Sequence, residues 1–263
     1  MAIVRSDIDN GKGFDWGRTS EDYAKFRDIY PDVFYEKIIG MGLCSKGQRV
    51  LDIGTGTGVL PRNLYKYGAE FIGADISENQ IEQARRLSKE AGMNISYVAS
   101  SAETVDFPDN YFDVVTACQC YVYFDKNALF PKIHNILKPS GHFCILFMAW
   151  LVEESNIAAG SEKLVLKHNP SWSAHSMKRF TYDFAEVPQG LFEIQDSFSY
   201  DVQVAFTRES WHGRMKACRG IGASSLSVEE IAQWEKEHIK YLKSVPEHFD
   251  IPHFVTVLNL RAI

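Results

Sequence analysis

Short apolar runs of strand length alternate with stretches whose apolar residues recur every three or four positions, from about residue 49 to residue 148. Val50-Leu51, Phe71-Ile72, 95–99, 113–119 and 143–148 predict five strands. Between them, Val59, Leu60 and Leu64, then Ile81, Ala84, Leu87 and Ala91, then Leu129, Ile133, Ile136 and Leu137, predict helices. Such alternation points to an α/β fold on a mostly parallel sheet. Ser77 followed by Gln80 predicts a capping box, Gly92 a helix stop, and Asp125 a second cap. Ahead of this block, Thr19 or Ser20 caps a helix carrying Tyr23, Phe26, Arg27 and Tyr30; Pro31 ends it, and Val33, Phe34, Ile38 and Ile39 give another. Beyond it the pattern weakens. Residues 150–190 read as an insertion of scattered helix-like turns, and 192–206 alternates as a long strand. Residues 207–220 form a helix with a basic, aromatic face; Ile231, Trp234, His238 and Leu242 mark another, and 255–260 a closing strand.

Chemistry concentrates at the end of the first strand. Asp52-Ile53-Gly54-Thr55-Gly56-Thr57-Gly58 supplies three alternating glycines, which suit a tight turn where backbone approaches a ligand. The second strand ends on Asp75, 21 positions beyond Gly54. Strand, glycine turn, helix, strand and terminal acid are the parts that bind an adenosine ribose on an open α/β sheet. A dinucleotide fingerprint needs a glycine in the sixth place, where Val59 stands. The pattern Asp52-x-Gly54-x-Gly56-x-Gly58 instead resembles motif I of the class I S-adenosylmethionine-dependent methyltransferases. The bland alternative is a glycine turn that only closes a strand–helix corner.

Further segments are similar to that family in the same order. Tyr23-x-x-x-Arg27-x-x-Tyr30-Pro31 resembles the N-terminal segment that folds over the cofactor, where Arg27 would meet the methionine carboxylate and Tyr23 would exclude water; a solvated arginine is the plainer reading. Ile76, after the acid, takes the place that lies against adenine. Ser100-Ser101-Ala102-Glu103 stands where the family commonly has Asp-Ala-Glu, so Ser101 departs from it and Ala102 remains a backbone contact. Phe107-Pro108-Asp109 to Val115 resembles the block entering strand four, and Leu137 to Gly141 the loop before strand five. The resemblance implies a Rossmann-like fold of seven strands with helices on both faces, the last strand antiparallel between five and six, and a helical insertion over the active-site face. It divides the chain into a helical cap over 1–45, a cofactor-binding core over 46–149, and the remaining strands with substrate-side insertions over 150–263, in one structural domain. It assigns Tyr23, Arg27, Asp52, Gly54, Thr55, Gly56, Gly58, Asp75, Ile76, Gln80, Ser101, Ala102, Glu103 and Gln119 to S-adenosylmethionine. Residues from Gln119 to Tyr123, at the carboxyl end of strand four, are where sulfonium and acceptor would meet.

Composition narrows the partners. The 263 residues carry a formal charge of −6, with 45% apolar and 24% charged residues, and a pI near 5.8. That balance argues for a packed core and against a broad phosphate-binding face, hence for a small-molecule acceptor over nucleic acid. The first residues lack a signal-peptide core, and the run 143–151 is too short to span a bilayer. Five cysteines, odd in number and mostly in apolar stretches, favour free thiols and a cytoplasmic setting. Cys118-x-Cys120 lacks a second ligand pair, so no metal is expected. Monomer and homodimer are both open.

Direct displacement of a methyl from sulfonium asks the protein to align reactants and exclude water, with a general base optional. Tyr123 and His253 are the candidate catalytic side chains, and a structural role is the plainer reading of His253. Trp211, His212, Arg214 and Arg219 are candidates for acceptor selection: the arginines either clamp an anionic substituent or pair with Glu229 and Glu230 on the surface. A catalytically silent nucleoside-binding protein and a nicotinamide-dependent reductase are the rival functions.

Overall fold

The computed structural model describes residues 3–263. In chain order the elements are α1 (Ser20–Phe26), α2 (Asp32–Gly40), β1 (Arg49–Ile53), α3 (Val59–Leu64), β2 (Glu70–Asp75), α4 (Glu78–Glu90), β3 (Ser96–Ala99), β4 (Phe112–Cys118), α5 (Lys126–Ile136), β5 (Leu137–Trp150), α6 (Asn156–His168), β6 (Phe192–Thr207), α7 (Arg208–Lys216), α8 (Val228–Leu242) and β7 (His248–Ala262). The strands form one seven-stranded sheet ordered β3-β2-β1-β4-β5-β7-β6. Pairing is parallel from β3 through β5, and β7 lies between β5 and β6 as the resemblance implied. A parallel sheet buries both faces, which explains the adjacent apolar pairs in β1 and β4: Val50, Leu51, Val114 and Val115 are fully buried.

By contacts the chain divides into two compact units, neither continuous in sequence. One comprises Tyr30–Met148, Phe180–Tyr200 and Val255–Ile263, and holds β1 to β4 with α2 to α5. Its core joins Leu51, Ile53, Phe112, Leu129, Phe130, Ile133, Phe143 and Leu258. α4 buries Ile81, Ala84 and Ser88 at helical spacing. The other unit comprises Met1–Ile29, Ala149–Arg179 and Asp201–Phe254, and holds α1, α6, α7 and α8. It packs Trp150, Trp211 and Phe206 edge to face, with ring centroids 5.7 and 4.9 Å apart.

Several local expectations change. Ser77 occupies the position before α4, but its side chain makes no capping bond; the Asp75 carboxylate accepts from the Ser77 N–H at 2.9 Å instead. True capping boxes close α7, through Thr207 and Ser210, and α8, through Ser227 and Glu230. α1 stops at Phe26, and Pro31 starts α2 rather than ending α1. The Leu137–His142 segment lies inside β5: Phe112 pairs with Leu137 and Val114 with His142, so four intervening residues bulge out of register. The 150–190 stretch contains the 13-residue α6, capped by Ser155. Gly160 in its middle weakens the helical pattern in sequence, but leaves the space that the Tyr241 ring occupies.

A buried ion pair secures the start of the second unit. Arg219 meets Asp9 at 2.5 Å with both side chains less than a tenth exposed, and Asp9 also accepts from the Ser173 N–H at 2.7 Å. Asp9→Ala leaves a guanidinium buried without its countercharge, so it should cost about 3–5 kcal/mol. The double variant Asp9→Ala, Arg219→Met should recover part of that loss. Urea unfolding of both variants checks this, and equal stability of the two would contradict it.

Candidate active site

The turn after β1 departs from ordinary backbone at three places: Gly54, Gly56 and Gly58 have φ of 62°, 54° and 73°. A Cβ on Gly54 would stand 2.7 Å from the Cβ and Sγ of Cys120, and one on Gly58 would strike the Tyr97 phenol. Cys120 itself sits 3.1 Å from the Ile53 carbonyl. The turn is therefore closed from both sides, and glycine is required by space as well as by φ. Parallel pairing of β1 with β2 sets Ile53 beside Ala74, which brings Asp75 level with the turn. One carboxylate oxygen of Asp75 accepts from the Gly56 N–H at 2.9 Å and the other from Ser77. Each oxygen retains a lone pair, which is what two ribose hydroxyls would need. Burial pushes the Asp75 carboxyl up, against the pull of those two backbone bonds.

Asp52 is buried beneath the turn and accepts from the Thr116 hydroxyl at 2.6 Å. Burial pushes its carboxyl up to about 7, with the bond from Thr116 opposing and the charge of Asp75 adding. Ile76 is 46% exposed, an apolar face offered to solvent next to Asp75. Gln80 is buried on the first turn of α4, and Ala102 is buried near the end of β3. The Ser101 hydroxyl donates to Glu103, whose other oxygen accepts from the Asp125 N–H at 3.0 Å. Serine at 101 thus secures Glu103 to the start of α5.

At the carboxyl end of β4, Gln119 adopts a left-handed φ of 68°. Its side-chain amide donates to the Met148 carbonyl at 2.5 Å and its backbone N–H to Leu146 at 2.9 Å. Left-handed backbone at a non-glycine residue gathers at functional sites, and its composition carried no such signal. Tyr123 lies on the short turn Tyr121–Tyr123, half-buried against the core. These residues, the glycine turn and Asp75 all belong to one unit.

The remaining candidates lie in the other unit. Arg27 stacks over the Tyr23 ring, 4.7 Å from its centroid. His253 is buried; its Nδ1 lies 2.8 Å from the Ile251 carbonyl, so Nδ1 carries the hydrogen and Nε2 the lone pair. Burial pushes its pKa down to about 3, with Arg214 and Arg27 adding. Trp211 is fully buried and donates to the Ser161 hydroxyl at 2.9 Å. His212 stacks on Trp234 and shares a 2.9 Å hydrogen bond with His238, whose Nε2 reaches Ser161 at 2.9 Å. The two arginines are not on the surface: Arg214 lies over Trp150, 4.9 Å from the ring, and Arg219 pairs with Asp9 rather than with Glu229 or Glu230. Among the described residues no group of acids, histidines and cysteines could hold a metal, and no helix is long and apolar enough to cross a membrane.

Sequence reasoning missed Cys120, Tyr97 and Thr116 as supports of the turn. Only the third had a signal, being a polar residue in an apolar strand beside Asp52.

A family profile described as a methyltransferase domain matches residues 50–141. The ubiquinone/menaquinone biosynthesis C-methyltransferase UbiE of Vibrio cholerae is 36% identical over 106 residues, 38% of this chain and 41% of that protein. The sterol 24-C-methyltransferase erg6 of Aspergillus fumigatus is 31% identical over 154 residues, 54% of this chain and 39% of that protein. The chain spans less than half the length of these curated relatives. The solved structure of the YcgJ protein from Bacillus subtilis superposes over 86% of this chain and 96% of that one, with 20% identity and a TM-score of 0.54, a likeness of fold.

The Asp52 carboxyl generates a pH signature. Its folded pKa of about 7 lies above the ordinary 3.8, so its contribution to stability is full below pH 3.8 and is lost as pH rises through 7. Asp52→Asn, which cannot ionise, should therefore gain stability relative to the wild type as pH rises from 4 to 8, by up to about 4 kcal/mol. Urea unfolding at stepped pH measures the difference; a flat difference would contradict the assignment.

Proposed function

We propose that this chain, whose residues 50–141 match a methyltransferase-domain profile, is a class I S-adenosylmethionine-dependent methyltransferase that transfers a methyl group to a small-molecule acceptor. The observation that carries the reading is the bracing of the glycine turn by Asp75, with a lone pair left on each carboxylate oxygen for a ribose diol. Gly54, Thr55, Gly56 and Gly58 line the turn, Ile76 offers an apolar face to adenine, and Gln80, Ser101, Ala102 and Glu103 bound that side. Asp52 supports the turn from below, and Gln119 marks the end of β4 where the methyl donor would point. Tyr23 and Arg27 are assigned to the methionine end by resemblance.

The cofactor, when bound, supplies an electrophilic methyl on a positively charged sulfur. The chain's own residues orient the acceptor, exclude water and leave the developing neutral sulfide in surroundings of low polarity. No covalent enzyme intermediate is required. Of the two candidate catalytic side chains, Tyr123 follows β4 directly, while His253 keeps a bare Nε2 at neutral pH and so acts as a hydrogen-bond acceptor rather than a store of protons. Trp211, His212, Arg214 and Arg219 stand as candidates for acceptor selection, though each is already packed or bonded within its unit. A small-molecule acceptor, a cytoplasmic setting and a monomer or homodimer complete the reading.

Calorimetry should show S-adenosylmethionine binding to the wild type and NAD giving no heat. Asp75→Ala should weaken S-adenosylmethionine at least tenfold, as expected when hydrogen bonds to a charged acceptor are lost. Equal binding by the variant would overturn the reading. Binding without release of S-adenosylhomocysteine across an acceptor library would leave a silent nucleoside-binding protein.

A further inference from the structure

Around Cys118, the last residue of β4, one unit of the molecule assembles a group of thiols and phenols that the cofactor reading does not use. The half-buried Cys118 thiol donates to the Tyr30 phenol at 3.5 Å. Tyr182 packs against the core that holds Cys120, and the Tyr200 ring lies 4.9 Å from Lys37 on α2, the helix whose Phe34 stacks on Tyr30 at 4.5 Å. Tyr182 stands edge-on to Tyr121 and Phe180, at 5.9 and 5.7 Å, so the phenols continue into an aromatic wall. The Tyr200 hydroxyl is buried and has no hydrogen-bond partner among the described residues. A buried hydroxyl left unbonded is destabilising, and a ligand group that bonds to it would recover that loss.

The cluster adjoins the glycine turn. Ile53 pairs with Ala117, so Gly54 and Cys118 are the next residues on neighbouring strands, and Cys120 touches both the Ile53 carbonyl and the space above Gly54. Gln119, with its left-handed backbone, separates the two cysteines.

We propose that this thiol–phenol cluster is the acceptor subsite, and that it takes an uncharged, planar apolar molecule whose single hydroxyl or carbonyl hydrogen-bonds to the Tyr200 hydroxyl. The assignment rests on reading the glycine turn as the cofactor site. Charge supports the substrate class. Burial pushes the phenols of Tyr182 and Tyr200 and the thiol of Cys144 upward, so all stay neutral at working pH. The charges around it are spoken for or in water: Asp52 accepts from Thr116 at 2.6 Å, Asp75 from the Gly56 and Ser77 amides at 2.9 Å, Asp196 from Asn259 at 2.8 Å, Glu186 pairs with Lys126 at 2.6 Å, and Lys37 is exposed, 4.9 Å from the Tyr200 ring. A carboxylate placed here would lose its hydration with no buried countercharge. An aromatic or quinone-like ring would instead gain stacking and edge contacts.

The test uses the full chain with saturating S-adenosylhomocysteine and two fluorescent probes, 2-naphthol and 2-naphthoate. The wild type should bind 2-naphthol saturably and 2-naphthoate at least tenfold more weakly. Tyr200→Phe should weaken 2-naphthol about tenfold, the loss of one hydrogen bond, and leave the Kd for S-adenosylhomocysteine unchanged. Without any mutation, 2-naphthol should slow alkylation of Cys118 by N-ethylmaleimide, mapped by peptide mass. Absent 2-naphthol binding, equal binding of the two probes, unaltered binding by Tyr200→Phe, or unprotected Cys118 would each overturn the subsite. Failure of the wild type to bind S-adenosylhomocysteine would instead sink the cofactor reading on which it rests.

Discussion

The grip of the Asp75 carboxylate on the Gly56 amide is the contact on which the rest of the site depends. A turn with three positive φ angles in five residues has no intrinsic reason to persist, since glycine is freer than any other residue in the unfolded chain. Its fixity comes from outside. The parallel register of β1 and β2 delivers Asp75 to its level, the Thr55 N–H reaches the Ala74 carbonyl at 3.0 Å, and Cys120 and Tyr97 fill the space that side chains on the turn would need. The sheet thus acts as a jig. Strand pairing, which stabilises the fold, is also what gives the loop one shape.

The same economy governs buried polar groups. Asp52 lies under the turn with Thr116 as its partner, and Glu162 is buried with Trp150 on one oxygen at 2.7 Å and the Ser176 N–H on the other at 2.8 Å. Each buried acid has bonds that offset its lost hydration, so these positions specify particular neighbours where apolar residues would tolerate several. Asp52 retains a raised pKa in spite of its bond from Thr116 because burial outweighs it.

What could be read from the sequence divides along physical lines. β1, β2, β4 and α4 were legible because local patterning and tertiary burial agree there: Leu51, Ile53, Ile81 and Ala84 are apolar at the right period and fully buried. Asp75 and the glycine turn were legible as a unit because strand, turn and terminal acid lie close in sequence, and the parallel register of β1 and β2 brings them together. α6 was not, since Gly160 lowers its propensity and only the Tyr241 ring, 81 positions along the chain, explains the glycine. The Ser77–Gln80 pair misled because the Asp75 carboxylate takes the Ser77 N–H that the Gln80 side chain would have accepted from. Arg219 misled for a similar reason: its partner Asp9 is remote in sequence, whereas Glu229 and Glu230 were near. Long-range partners leave no trace in local pattern. Neither the left-handed Gln119 nor the phenols around Cys118 had any.

The hydrogen bonds joining Trp211, Ser161, His238, His212 and Glu235 obey a rule of parity. The indole can only donate, and Ser161 has one hydrogen to give, either to the Ile157 carbonyl at 2.9 Å or to His238. If it goes to His238, both rings orient so that His212 turns an N–H toward Glu235, 3.6 Å away, and every neutral group is matched. If it goes to Ile157, both imidazoles must exchange tautomers, and His212 can face the carboxylate favourably only as imidazolium. An added hydrogen on His212 Nδ1 therefore reverses two successive bonds, His212–His238 and His238–Ser161, and swings the Ser161 hydroxyl to the Ile157 carbonyl, so the two settings differ in polarity while the heavy atoms keep their places.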